Sequence, residues 1–285
     1  MNTKYLKEGL AKLSSGSGVF YNKEMEMCRS ISSLWVGTLP KLKLGVDGFC
    51  ASGVRGIRYL KENKTIGKIE FVDWSKKAIL QVKKNLKLNK IGGRKGKTVC
   101  GNVNKYFMEN FEFDFAEIDP FGTPVPYLDS LFQAEGRGKE RYVSITATDV
   151  AVLCGAHYKA CIKNYGANPL DNEFCHENAL RILIGKIARV GAQYEWELIP
   201  EFCFSHKHYV KVLAKVRKGA EGAVESVKKS MKYVEYCPTC LYHKLVEKGF
   251  PKEKCPVCGK KLIWAGPMWG GKIFNKKIIE KMQKL

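Results

Sequence analysis

Residues 44–75, LGVDGFCASGVRGIRYLKENKTIGKIEFVDWS, hold the pattern that decides the fold. An apolar run ends in Asp47-Gly48, a turn of small residues follows, and a helical stretch then leads to a second apolar run ending in Asp73. Short apolar runs bounded by turns and separated by helices belong to parallel strands buried on both faces. Further β-type runs alternate with helical patterns, so strands at 44–49, 68–73, 97–100, 113–118 and 141–147 are expected to build a mainly parallel sheet. Ser75 to Leu88 is the clearest helix. Its Ala78, Ile79, Val82 and Leu86 form an apolar stripe opposite Lys76, Lys77, Lys83, Lys84 and Lys87, a cationic face that reads as solvent coating. After a long helix over 173–193, β-type runs at 196–204 and 208–216 are joined only by Ser205-His206-Lys207, which requires an antiparallel hairpin. Residues 218–232, with Gly219 and Gly222, read as a linker.

The chain carries 49 Lys plus Arg against 28 Asp plus Glu, a formal charge of +21 on 285 residues. A surplus of that size points to a polyanionic partner, nucleic acid first, against the alternative of a merely solvated cationic surface. No apolar stretch reaches membrane-spanning length and the N-terminal residues lack a secretory pattern, so a soluble, cytoplasmic protein with no membrane contact is expected.

Eleven cysteines are an odd number in mostly apolar contexts, which fits a reducing compartment and not a disulfide framework. Four of them, Cys237, Cys240, Cys255 and Cys258, form two C-x-x-C pairs 14 residues apart, the spacing of a closed structural zinc site. Two redox C-x-x-C centres are the competing reading. From residue 228 onward there are 14 Lys, no Arg and 4 acids, so this segment reads as a lysine grip on RNA phosphate. Tyr236, Tyr242, Trp264 and Trp269 among them read chiefly as packing around the metal. The five histidines, His176 included, do not group as a metal set, and a structural hydrogen bond is the expected role of His176.

Two carboxylates frame a candidate ligand site. The Gly48–Gly56 turn lacks G-x-G-x-x-G spacing, which disfavours a pyrophosphate cradle, yet Asp73 follows it at the distance of a ribose-diol acceptor. Capping of the next helix is the alternative role for Asp73. The sharpest signal is Glu117-Ile118-Asp119-Pro120-Phe121-Gly122-Thr123-Pro124, at the ligand end of the fourth strand. An acid followed by proline and an aromatic ring resembles the motif of enzymes that methylate exocyclic amino groups of bases. Such a nitrogen is a poor nucleophile until acceptors engage its N–H bonds, and the Asp119 carboxylate and Pro120 carbonyl offer that. Phe121 could stack on a base taken out of its pairing environment.

Five separated stretches then resemble one family, the tRNA guanine-26 N2-methyltransferases: GVFYNKEM, DGFCASGVRGIR, DPFGTPVPYLD, TATDVAVLCGAHYKACIKNYG and FCHENALRILIGKIAR. The resemblance implies a class I S-adenosylmethionine-dependent α/β fold, Rossmann-like, closed by the late antiparallel hairpin and followed by a small zinc-ribbon-like module. It implies an N-terminal segment 1–43 contributing site contacts, a methyltransferase domain at 44–218 and a zinc-binding, RNA-contacting module at 219–285. It further implies that Arg29, Arg55, Asp73, Asn102 and Val103 contact S-adenosylmethionine, that Asp47 and Gly53 shape its pocket, and that Phe20 and Phe121 sandwich the guanine. Asp119 would be the main catalytic acceptor with the Pro120 carbonyl beside it.

The implied reaction is mono- or dimethylation of guanine 26 in tRNA, with tRNA as partner and no protein partner inferred. Methylation at another RNA position, or a catalytically silent RNA-binding protein on the same scaffold, are the alternatives. The chain departs from the family pattern at Cys28-Arg29-Ser30, where Asn-Arg-Asp is usual, and at Asn102-Val103, where Asp-Ala is usual. It also stops 27 residues after Cys258, so a truncated tRNA-gripping module is expected.

Overall fold

The computed structural model describes residues 5–14, 18–110, 112–134, 138–247 and 252–285. A short antiparallel hairpin, β1 (Tyr5–Glu8) and β2 (Ala11–Ser14), precedes helix α1 (Glu26–Thr38). Strands and helices then alternate through β3 (Gly45–Gly48), α2 (Val54–Glu62), β4 (Ile69–Asp73), α3 (Lys76–Leu88), β5 (Gly96–Cys100), α4 (Val103–Glu109), β6 (Phe115–Ile118), α5 (Leu128–Gln133) and β7 (Glu140–Ala147). Helices α6 (Val150–Leu153), α7 (Tyr158–Tyr165) and α8 (Cys175–Gln193) lead to β8 (Trp196–His206) and β9 (Tyr209–Lys218). The remainder holds α9 (Ala220–Ser230), β10 (Met231–Tyr236), β11 (His243–Val246), β12 (Ile263–Trp269) and α10 (Lys276–Met282).

The main sheet has the order β5-β4-β3-β6-β7-β9-β8. Its first five strands are parallel and β9 runs antiparallel to both β7 and β8. All seven strands fall within two residues of the bounds expected from sequence. The chain winds from β3 outward to β4 and β5, then returns to β6 on the other side, so the ends of β3 and β6 form the crevice where such sheets bind ligands. Helices cover both faces. Phe107, Leu131 and Ile184 of α4, α5 and α8 pack with Val46 and Val72 on one side, while Trp35, Ile57, Ile79 and Val82 of α1, α2 and α3 pack with Ile69 and Phe71 on the other.

Residues 218–232 correct the expectation of a linker. β9 runs to Lys218, α9 follows at once, and β10 begins at Met231. The two glycines suggested flexibility, but Gly222 lies inside α9 and packs close to β8, where a Cβ would come 3.2 Å from the Glu197 carboxylate. The C-terminal stretch also clasps the main sheet. Ala265, Met268 and Trp269 of β12 join the core under α8, where Gly185 lets the β12 backbone approach, and Ile278 and Met282 of α10 join the opposite core. Strands β11, β10 and β12 form a separate three-stranded antiparallel sheet that carries the cysteine pairs.

Candidate active site

The ends of β3, β4 and β6 and the tip of the β8–β9 hairpin enclose a cavity of about 350 Å³. Phe20, Arg29, Asp47, Arg55, Asp73, Asp119, Pro120 and Phe121 all line it, so eight residues singled out from sequence converge on one place. The turn after β3 makes the approach possible. Phe49, Ala51 and Gly53 adopt positive φ values of 61°, 45° and 75°. For the two side-chain-bearing residues this left-handed backbone costs on the order of 1 kcal/mol each, strain of the kind found at ligand-binding turns. Gly53 does not itself line the cavity. A Cβ there would lie 3.1 Å from Val82, so its role is to let the turn sit against α3.

Asp73 locks this turn. Its Oδ2 accepts the Ala51 N–H at 3.0 Å and its Oδ1 accepts the Ser75 N–H at 2.9 Å, which ties the ends of β3 and β4 together. The helix cap is Ser75, whose hydroxyl accepts from the Ala78 N–H, so Asp73 is not the cap and stays at the cavity wall. Asp47, also buried, accepts the Gly56 N–H at 3.0 Å. Burial first, and then the negative charge of Glu117, push its carboxyl up to about 7, against the opposing pull of Arg55.

Asp119 sits in a chain of buried charges. Its Oδ2 accepts from Arg55, whose Nε lies 3.5 Å from Glu117 and whose Nη1 reaches the Ser32 hydroxyl. Glu117 is fully buried and accepts from the Tyr59 hydroxyl at 2.7 Å and from Lys211 at 2.5 Å, while Lys211 also donates to the Thr146 hydroxyl at 2.8 Å. Burial pushes the Asp119 carboxyl up, but the charges of Arg55 and Lys211 and hydrogen bonds from Arg55 and Thr146 outweigh it. The group is held below the usual carboxylate range. The corner beyond it is fixed from β7: Thr148 accepts the Gly122 N–H at 2.7 Å and returns its own N–H to the Gly122 carbonyl at 3.0 Å.

Five of the expected residues show partners of their own. Arg29 lines the cavity, but its Nε and Nη2 donate to Glu8 and Nη2 also to the Asn22 carbonyl, so it braces the N-terminal hairpin against the wall. Asn102 spends its side-chain oxygen capping α4 through the Asn104 and Lys105 N–H groups, and neither it nor the buried Val103 lines the cavity. Phe20 and Phe121 meet edge to face with centroids 4.8 Å apart, and both are largely exposed. Two parallel rings holding a base between them need roughly 7 Å, so the pair must part before a base can lie between them.

Sequence reasoning missed Glu8, Glu117, Lys211 and Thr148 as parts of the site. The available signals were an acid inside the apolar run FDFAEI and a lysine inside the β-type run YVKVLA.

The four ribbon cysteines bring their sulfurs within 4.8 Å of one another, with Cys237 to Cys258 and Cys240 to Cys255 both at 3.5 Å. The two knuckles match: Cys237 and Cys255 carbonyls accept the N–H of Leu241 and Gly259, each left-handed. A tetrahedral Zn–S site has edges of about 3.8 Å, so this donor set fits zinc.

A seven-stranded sheet with one antiparallel strand, carrying an acidic cavity at its switch point, defines the class I S-adenosylmethionine-dependent methyltransferases. The sequence profile of the family described as N2,N2-dimethylguanosine tRNA methyltransferase matches residues 2–285. The tRNA (guanine(26)-N(2)/guanine(27)-N(2))-dimethyltransferase of Aquifex aeolicus is 38% identical over 98% of this chain and 76% of its own. The tRNA (guanine(26)-N(2))-dimethyltransferase of Methanobrevibacter smithii is 36% identical over 98% of this chain and 74% of its own. Among solved structures, Trm1 from Pyrococcus horikoshii in complex with S-adenosyl-L-methionine superposes with a TM-score of 0.89 at 30% identity, covering 99% of this chain and 77% of that one. The chain belongs to the N2,N2-dimethylguanosine tRNA methyltransferase family. Among the described residues no helix is long and apolar enough to cross a membrane.

Proposed function

We propose that the chain methylates the exocyclic N2 of guanine 26 in tRNA, with Asp119 as the acceptor that prepares the nitrogen. The observation that carries this reading is the meeting of Asp119 and Pro120 with Asp73 and the left-handed turn in one cavity, Asp119 being held ionised by Arg55. S-adenosylmethionine would supply an electrophilic methyl group on sulfonium, its S–CH3 bond breaking to leave the neutral thioether S-adenosylhomocysteine. Asp73 is suited to the ribose diol, Asp47 to the cationic side of the cofactor, and Arg29 to bracing the wall. The Asp119 carboxylate and the Pro120 carbonyl accept the amino N–H bonds, which localises the lone pair on nitrogen, and Asp119 takes the proton that nitrogen sheds as its new bond to carbon forms. Phe20 and Phe121 part to hold the base. Exposed Lys244, Lys252, Lys254, Lys260 and Lys261 beside the cysteine knuckles suit tRNA phosphates, with zinc as the structural ion of the ribbon.

The test is nucleoside mass spectrometry after incubation with S-adenosylmethionine and tRNA transcripts bearing G or A at position 26. Methylated guanosine is expected from the G26 transcript alone. Equal modification of the A26 transcript would move the reaction to another position, and no cofactor binding by calorimetry would favour the silent scaffold.

Asp47 gives a pH dependence. A carboxyl near 7 is protonated below that pH and must ionise to face a cation, so cofactor affinity should rise by up to about tenfold per pH unit on approach to 7 and level off above it. Calorimetry between pH 5.5 and 8.5 checks this against Asp47→Asn, which should flatten the dependence; an unchanged profile in the variant would remove Asp47 from the linkage.

A further inference from the structure

A second cluster of soft ligands lies away from the ribbon and outside the catalytic cavity. Cys154 follows the last turn of α6, while Cys175 and His176 open α8. Their ligand atoms, two sulfurs and the His176 Nδ1, all lie within 4.8 Å of one another, and Cys154 Sγ stands 3.7 Å from Nδ1. With Zn–S near 2.3 Å and Zn–N near 2.05 Å, a tetrahedron has an S···N edge of about 3.6 Å. The ribbon site, whose sulfurs are similarly close, provides the internal comparison.

We propose that Cys154, Cys175 and His176 bind a second divalent ion of the soft, zinc-like class, with water at the fourth vertex. Two sulfurs and an imidazole select such a metal over magnesium or calcium. A simple thiol pair would use only the two cysteines and leave His176 a bystander; here all three donors, drawn from two helices, face one point. Both cysteines are half-buried and His176 is exposed, so an ion can reach the site from solvent. Binding would release the protons of the two thiols, and the ion would join α6 to α8. The segment it pins begins just after Thr148, the residue that holds the Gly122 corner.

The test is equilibrium binding of Co²⁺ to the metal-free full chain under reducing conditions, with spectroscopic and elemental counting. Wild type should take two ions per chain. Cys237→Ser/Cys258→Ser should keep one with a two-thiolate spectrum, and adding Cys154→Ala should abolish it. Should the ribbon variant fail to fold, His176→Gln in the otherwise intact chain should lower the count from two to one while the four-thiolate spectrum persists. A single ion in wild type that vanishes with the ribbon cysteines overturns the proposal, as does an unchanged count in His176→Gln. Peptide mapping that finds a Cys154–Cys175 disulfide in reduced protein would also overturn it.

Discussion

Asp119→Asn is expected to lower kcat by about 10³-fold while changing the dissociation constant for S-adenosylmethionine less than tenfold. The substitution keeps the volume of the side chain and an oxygen for Arg55, so the corner between β6 and Thr148 keeps its shape. What it removes is a charge held ionised in a largely buried place. An amide oxygen accepts a hydrogen bond more weakly than a carboxylate and cannot take up the proton that leaves the amino group. Single-turnover kinetics with bound tRNA, set beside calorimetry, separates the two quantities. Turnover within a few-fold of wild type would show that the acceptor lies elsewhere.

The second large effect belongs to Lys211. It is fully buried, and among the described residues its amino group donates to Glu117 and the Thr146 hydroxyl alone. Lys211→Met leaves Glu117 with Tyr59 and the more distant Arg55, and breaking a buried pair in this way should destabilise the fold by about 3–5 kcal/mol. Lys211→Met/Glu117→Gln should recover much of that loss, because a neutral pair no longer strands a charge. Denaturant unfolding of the single and double variants measures both. The same substitution should move the acid limb of kcat/KM upward in pH. On the proposed reading Asp119 acts as a carboxylate; Lys211 helps hold its ionisation low, so activity should be lost as pH falls through that ionisation. If the double variant were no more stable than the single, the pair would not be acting as a unit.

The main sheet was legible because its central strands β3, β4 and β6 are short apolar runs bounded by turn residues, and because a three-residue connection leaves β8 and β9 no choice but a hairpin. The elements that were not legible are short, charged or at edges. β1 and β2 have four residues each, and β11 is the run HKLV. α9 was hidden by Gly219 at its start and Gly222 within it, of which Gly222 sits against Glu197, and the return of β12 to α8 depends on contacts between residues some 80 apart in the chain, which periodicity does not encode.

Within the site, Asp73 and Asp119 were visible as acids ending apolar strands, and Asp47 entered through the family resemblance. The partnership of Arg55 with Asp119 and that of Lys211 with Glu117, 94 residues apart, could be read only from the folded chain. The same holds for Asn102, whose cap position was set by where β5 ends.

The edge-to-face pair of Phe20 and Phe121 leaves the mouth of the cleft corked by its own side chains. Separating the rings forfeits roughly 0.5–1.5 kcal/mol before any stacking on a base is gained. A free nucleoside brings nothing else to offset that loss, whereas a large folded RNA seated on a cationic surface has binding energy to spare for it. On the proposed reading, in which these rings hold the base, the cork disfavours loose guanosine by at most about tenfold relative to guanine carried by an RNA that the cationic surface also grips.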